Sequence, residues 1–249
     1  MKKKEHKKRK RWPAKKIAAM SVVISLAASI VFVIYKLATA PSGAVDGHIG
    51  GKMKSDYVLM LVQCVLGLVA WMLPSFLARR KWMHLPDSFL TMYFIFLYCA
   101  IYLGEVRNFY YDIPHWDTIL HAFSGAMLGV LGFTILTLLN SHVTSLKLSP
   151  VFVALFAFSF AVAFGVVWEI YEFVIDSTMK LNMQKYMFES GVEKIGRAAL
   201  MDTMKDLIVD VMSAAVISVV GFVMMKKKPA WLDSFHVQKE KRKIDSLPL

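Results

Sequence analysis

The sequence predicts an all-α fold: a polytopic membrane bundle of about six transmembrane helices, with the N-terminus and C-terminus both cytoplasmic. Three observations predict it. Hydrophobic residues make up 57% of the 249, above the roughly 45–50% of a soluble domain. Apolar runs near or beyond the ~18 residues that mark a bilayer crossing recur along the chain. Basic residues also alternate in density between successive connections, as orientation by the positive-inside rule requires.

The spans are expected at 17–39, 57–78, 88–106, 118–139, 150–176 and 206–225. With the N-terminus inside, cytoplasmic segments hold 21 Lys and Arg, ten of them in the first sixteen residues, and the outer segments hold 8. That split organises the chain as a basic cytoplasmic head (1–16), a six-helix transmembrane domain (17–225) and a basic cytoplasmic tail (226–249). It orients a multi-pass membrane protein with its basic ends against anionic lipid at the cytoplasmic face. The net charge of +12 is explained by these flanks. No aromatic stacking platform or nucleic-acid motif accompanies them, so a nucleic-acid partner is not expected.

The basic head, apolar run and Ala38-Thr39-Ala40 leave a cleavable signal peptide as the alternative, but the first span reads first as an uncleaved anchor, because its apolar run is longer than a signal-peptide core and Lys36 interrupts the approach to the site. Gly43, Gly47, Gly50 and Gly51 make the first outer loop a turn-rich connection. Pro74 is expected to kink the second span, and Pro86 and Pro150 to open the third and fifth helices. Trp12, Trp82 and Trp231 stand at inner boundaries and Trp116 at an outer one. The outer loop 177–205 carries Ser190-Gly191-Val192-Glu193, a capping-box pattern that predicts a short helix on the surface. Cys64 and Cys99 both fall within apolar segments and offer neither a disulfide framework nor metal spacing.

Eight of the eighteen carboxylates gather at the same, outer ends of four spans: Glu105, Asp117, Glu169, Glu172, Asp176, Asp202, Asp206 and Asp210, with His121 among them. An acid at a helix centre in a bilayer costs roughly 2.5–3.5 kcal/mol by insertion scales, so such a group usually serves function. Carboxylates converging where water is scarce must bind protons or share a cation. Asp117 and His121, four apart, share a helix face, and Gly125 and Gly129 offer a close-packing pair further along. Glu169, Glu172 and Asp176 form a stripe at a helix C-terminus, where the macrodipole is already negative. Asp202, Asp206 and Asp210 repeat every four residues. The first two of these suit a helix N-terminus, whereas Asp210 lies too deep for that.

Oxygen ligands with one imidazole suit a hard or borderline divalent ion such as Mg²⁺, Mn²⁺, Zn²⁺ or Fe²⁺. Asp117, His121, Glu169, Glu172, Asp206 and Asp210 are the candidate ligands. His121, Asp206 and Glu172 are the candidate catalytic groups, with Glu105, Asp176 and Asp202 standing behind them. No nucleophile elbow, HExxH, CxxC pair or phosphate-cradling glycine loop occurs. The function expected is therefore a cation-binding membrane protein acting on a lipid or cell-envelope substrate. A proton- or cation-coupled transporter and a non-catalytic scaffold are the alternatives, and the oligomeric state is not set by sequence.

The runs His115-Trp116-Asp117-Thr118-Ile119-Leu120-His121, Trp168-Glu169-Ile170-Tyr171-Glu172-Phe173 and Asp202 to Asp210 resemble the YjdF-like bacterial membrane proteins. More distantly, Asp117-x3-His121, a later-span glutamate and Asp206-x3-Asp210 look like the VanZ-like proteins. In those proteins an arginine precedes the last acidic motif; here Arg197 is offset, and Asp210 stands where Asn is common. The resemblance implies an integral membrane protein and brings no reaction with it.

Overall fold

The computed structural model describes residues 13–39, 52, 54–79, 85–142, 148–188 and 191–228. Within them lie six helices long and apolar enough to cross a membrane. They are α1 (Ala14–Thr39), α2 (Lys54–Arg79), α3 (Asp87–Leu97, continuing as a π-helix over Tyr98–Val106), α5 (Trp116–His142), α6 (Pro150–Met179) and α7 (Arg197–Lys227); a single turn, α4 (Phe109–Asp112), precedes α5. Helices are the form the sequence must take, since backbone groups in hydrocarbon have no partner except one another. The residues of the basic head up to Trp12 and of the tail from Pro229, the first glycine loop from Ala40 to Gly51, Trp82 and Ser190 lie outside the described residues.

The helices pack as two triplets. α1, α2 and α3 contact one another, and α5, α6 and α7 contact one another; α3 and its π-helical continuation touch α5 across the seam. The first triplet closes on Val22, Leu26, Cys64, Phe94, Leu97 and Ile101. The second closes on Phe133, Leu136, Val153, Ala154, Ala157 and Met225. Large apolar side chains such as Ile24, Val31, Val69, Leu155, Val167 and Val216 face outward. That is the expected surface for helices whose solvent is lipid.

Local chemistry explains the element ends. Ser149 caps α6, its Oγ accepting from the Phe152 amide at 3.2 Å, with Pro150 in the first turn where its missing N–H costs nothing. α6 stops at Lys180, whose φ of 56° reverses the chain. Pro86 sits at the cap position of α3. Pro74 lies inside α2 and cannot donate to the carbonyl of Ala70. The Tyr93 hydroxyl of α3 donates to that carbonyl instead, at 2.8 Å.

Two expectations need correcting. The short surface helix expected to start at Ser190 is absent from the described part of that stretch: Val192 and Glu193 are not helical, Glu193 bridges to Met187, and the Phe188 amide donates to Val192 O at 2.9 Å. Gly191 stands at φ 78°, a conformation that costs glycine little. α7 then begins at Arg197 and runs unbroken into the membrane span, rather than starting at 206. Its first turns are polar enough to escape a hydropathy reading.

Glycines set the helix spacing in the second triplet. A Cβ on Gly125 would strike the Ser213 hydroxyl, and one on Gly129 would come within 3.0 Å of Ile217, so both glycines bring α5 close to α7. The expected close-packing pair therefore has an identified partner. Gly132 faces another way. Its Cβ would sit 2.8 Å from the Ala157 Cα, which brings α5 against the backbone of α6.

Candidate functional site

His121 sits one turn into α5, buried between α5 and α7. Its two ring nitrogens face different groups. Nδ1 is 3.3 Å from Asp210 Oδ2, a hydrogen bond. Nε2 lies 3.8 Å from Asp117 Oδ1 and 3.9 Å from Asp206 Oδ2. If Nδ1 carries the proton and donates to Asp210, Nε2 presents a lone pair between two carboxylates.

Asp117, His121 and Asp206 each offer one ligand atom, and these atoms lie within 4.8 Å of one another. Metal bonds of about 2.0–2.2 Å keep any two ligand atoms within about 4.4 Å, so small side-chain adjustments would bring the trio to bonding distance. Asp210 reaches this position because α6 carries no side chain opposite it. A Cβ on Gly165 would come within 2.5 Å of Asp210 Oδ2.

The burial is severe. Asp206 is 2% exposed, Asp210 3% and Glu169 5%. One oxygen of Asp206, one of Asp210 and both of Glu169 are buried without a hydrogen-bond partner of good geometry. The Thr203 hydroxyl stands beside Glu169 but outside that geometry. Glu172, one turn further along α6, is within electrostatic reach of Asp117, His121 and Lys185. Two ionised carboxylates about 4–5 Å apart repel by roughly 3–4 kcal/mol at an effective dielectric of 20. Protons or a cation must offset that repulsion.

The basic group that partly does so comes from the connection between α6 and α7. Lys185, in the α6–α7 connection, pairs with Asp117 and lies 3.7 Å from Asp202. Its ammonium also sits 5.1 Å from the ring centroid of Tyr110. Burial alone would lower its pKa, but Asp117 and Asp202 outweigh burial and hold it above the ordinary lysine range. Tyr110, in α4, lies against Gly104, where a Cβ would come within 2.5 Å of its ring. Burial pushes the Tyr110 phenol well above its usual range, and the nearby carboxylates of Asp117, Glu105, Glu172 and Asp206 push it further.

The sequence held partial signals for these residues. Gly165 stands four before Glu169 and so shares its helix face. Tyr110 lies in an aromatic run, Phe109-Tyr110-Tyr111, directly ahead of Asp117. Lys185 is, in sequence, one of eight basic residues of the outer segments, with nothing to mark it.

The remaining expected acids divide. Glu105, at the end of the π-helix, is within electrostatic reach of Tyr110 and Lys185. Asp176, placed by periodicity on the stripe of Glu169 and Glu172, instead accepts hydrogen bonds from the amides of Met183 (2.8 Å) and Gln184 (2.9 Å) and shapes the loop. Asp202 and Asp206 are not helix-terminal acids, since α7 begins at Arg197 and places Asp202 in its second turn. Asp117 follows Trp116 inside the first turn of α5. Asp210 lies level with His121, one turn into α5, since its carboxylate meets the imidazole there.

The sequence model of a family described as predicted membrane protein (DUF2238) matches residues 19–227. No curated protein matches the chain, and no solved structure does.

Proposed function

The chain belongs to the DUF2238 family of predicted membrane proteins, and from that membership and the buried carboxylate–histidine cluster we propose a divalent-cation site that acts on a lipid or cell-envelope substrate. Asp117, His121 and Asp206 are the proposed ligands. Asp210 holds the imidazole in the tautomer that frees Nε2, the usual arrangement behind a metal-bound histidine. Glu172 and Glu169 stand beside this trio as acid–base groups or additional ligands. A bound divalent ion would supply Lewis acidity and lower the pKa of a bound water. The protein is assigned to a bacterial plasma membrane, with its basic ends on anionic lipid at the cytoplasmic face. The VanZ-like resemblance belongs to this proposal and rests on Asp117, His121, Glu169, Asp206 and Asp210.

The observation that carries the reading is the division of His121 between Asp210 on one ring nitrogen and two carboxylates on the other. Polar glue between helices does not call for it. Such contacts average about 0.6 kcal/mol in membrane proteins, too little to offset several buried acids.

Elemental analysis of detergent-purified protein tests the reading. Wild type should retain a divalent metal near one per chain, and His121→Ala and Asp206→Ala should lose it. A metal-free wild type that binds no added divalent ion would sink it. A second reading, a cation- or proton-coupled transporter, draws on the buried oxygens of Glu169, Asp206 and Asp210 that lack a hydrogen-bond partner, since ionisable groups within spans mark ion and proton pathways. Flux of protons or divalent ions in proteoliposomes separates transport from turnover.

A further inference from the structure

The connection between α6 and α7 is tightly built. Asp176 holds the Met183 and Gln184 amides, and Asn182 bonds Met187 in both directions, at 3.1 and 2.8 Å. The Gln184 side chain donates to Thr203 of α7 at 2.8 Å. Leu181 and Met183 are buried against Leu59 of α2. These contacts fix Lys185 at φ 48°, a left-handed conformation that a residue with a side chain adopts only when its surroundings impose it. The Lys194 ammonium then donates to the Lys185 carbonyl at 2.6 Å. The loop delivers one cationic side chain into an acidic pocket.

Asp117 is shared. Its Oδ2 takes the Lys185 ammonium, while its Oδ1 faces His121 Nε2 in the ligand trio. We propose that Lys185 is a tethered counter-ion regulating the cation site: it occupies the Asp117 edge, and an arriving divalent ion displaces it toward Asp202 and the Tyr110 ring. The inference rests on the cation site proposed above. The retreat is short, because Asp202 already stands 3.7 Å from the ammonium and the Tyr110 ring already lies beneath it. Two cations on one carboxylate repel, so Lys185 sets a threshold concentration below which the site holds its own ammonium rather than a metal.

Binding of Mn²⁺ and of Zn²⁺ to full-length protein in nanodiscs, measured by calorimetry, tests this with Lys185→Met and Asp206→Asn. Lys185→Met should tighten binding by about tenfold or more, since it removes a neighbouring positive charge. Asp206→Asn should abolish binding. Equal or weaker binding by Lys185→Met overturns the counter-ion and leaves the cation site standing. No binding of either ion by wild type or Lys185→Met overturns both. A second measurement needs no variant: amine labelling of Lys185 in wild type, read by mass spectrometry, should rise when Mn²⁺ or Zn²⁺ is added. Labelling that does not change with a bound ion overturns the displacement.

Discussion

His121 is held from two sides, and the two sides make different demands. Asp210 orients the ring, whereas Asp117 and Asp206 define what the other nitrogen faces. Asp210→Asn should therefore leave the proposed ligands in place yet lower divalent-ion affinity by roughly 10–100-fold, the usual penalty for losing a ligand's supporting partner. Calorimetry with Mn²⁺ checks it, and unchanged affinity would remove Asp210 from the role. The sequence made His121 and its acids legible, because ionisable groups in apolar runs stand out by cost alone. It could not sort them. Spacing of three, four or seven residues places Asp176 and Glu169 on one stripe, but only the folded loop shows that Asp176 is spent on backbone amides. Lys185 was invisible for a related reason: a charge in a connection carries no periodicity that says where it points.

At the scale of elements, the spans were readable because bilayer thickness fixes how many apolar residues a crossing needs. Their ends were less so. The polar first turns of α7 are helical through continuity with the span behind them, which a hydropathy window cannot detect. Pro74 shows how helix defects are mended by neighbours. Removing the Tyr93 hydroxyl leaves the Ala70 carbonyl unpaired, so Tyr93→Phe should cost about 1–3 kcal/mol. A thermal melt in detergent that matches wild type would exclude this. The contact between α5 and α6 is stricter, since Gly132 faces backbone rather than a flexible side chain. Gly132→Val should force the helices apart and destabilise by about 1–3 kcal/mol or more. The same melt checks it, and a neutral result would mean that the two helices separate freely.

At the scale of the molecule, the number of crossings decides whether the site lies on the N-terminal face of the membrane or on the opposite one. Six crossings return the chain to the face it left, while three, the number before α5, put it on the opposite one. With the N-terminus in the cytoplasm, as the basic-residue split predicts, a cysteine at His115 should react with a membrane-impermeant maleimide on intact cells, and one at Lys228 only after permeabilisation. The reverse pattern would invert the whole assignment. The tight core of the second triplet has a consequence for any ion that enters. Past the acidic cluster, Phe133, Ala157 and Met225 fill the interior with 4% exposure or less. In this conformation hydrocarbon packing closes the second triplet beyond the cluster. An ion that reaches the cluster must leave by the way it came unless that plug parts.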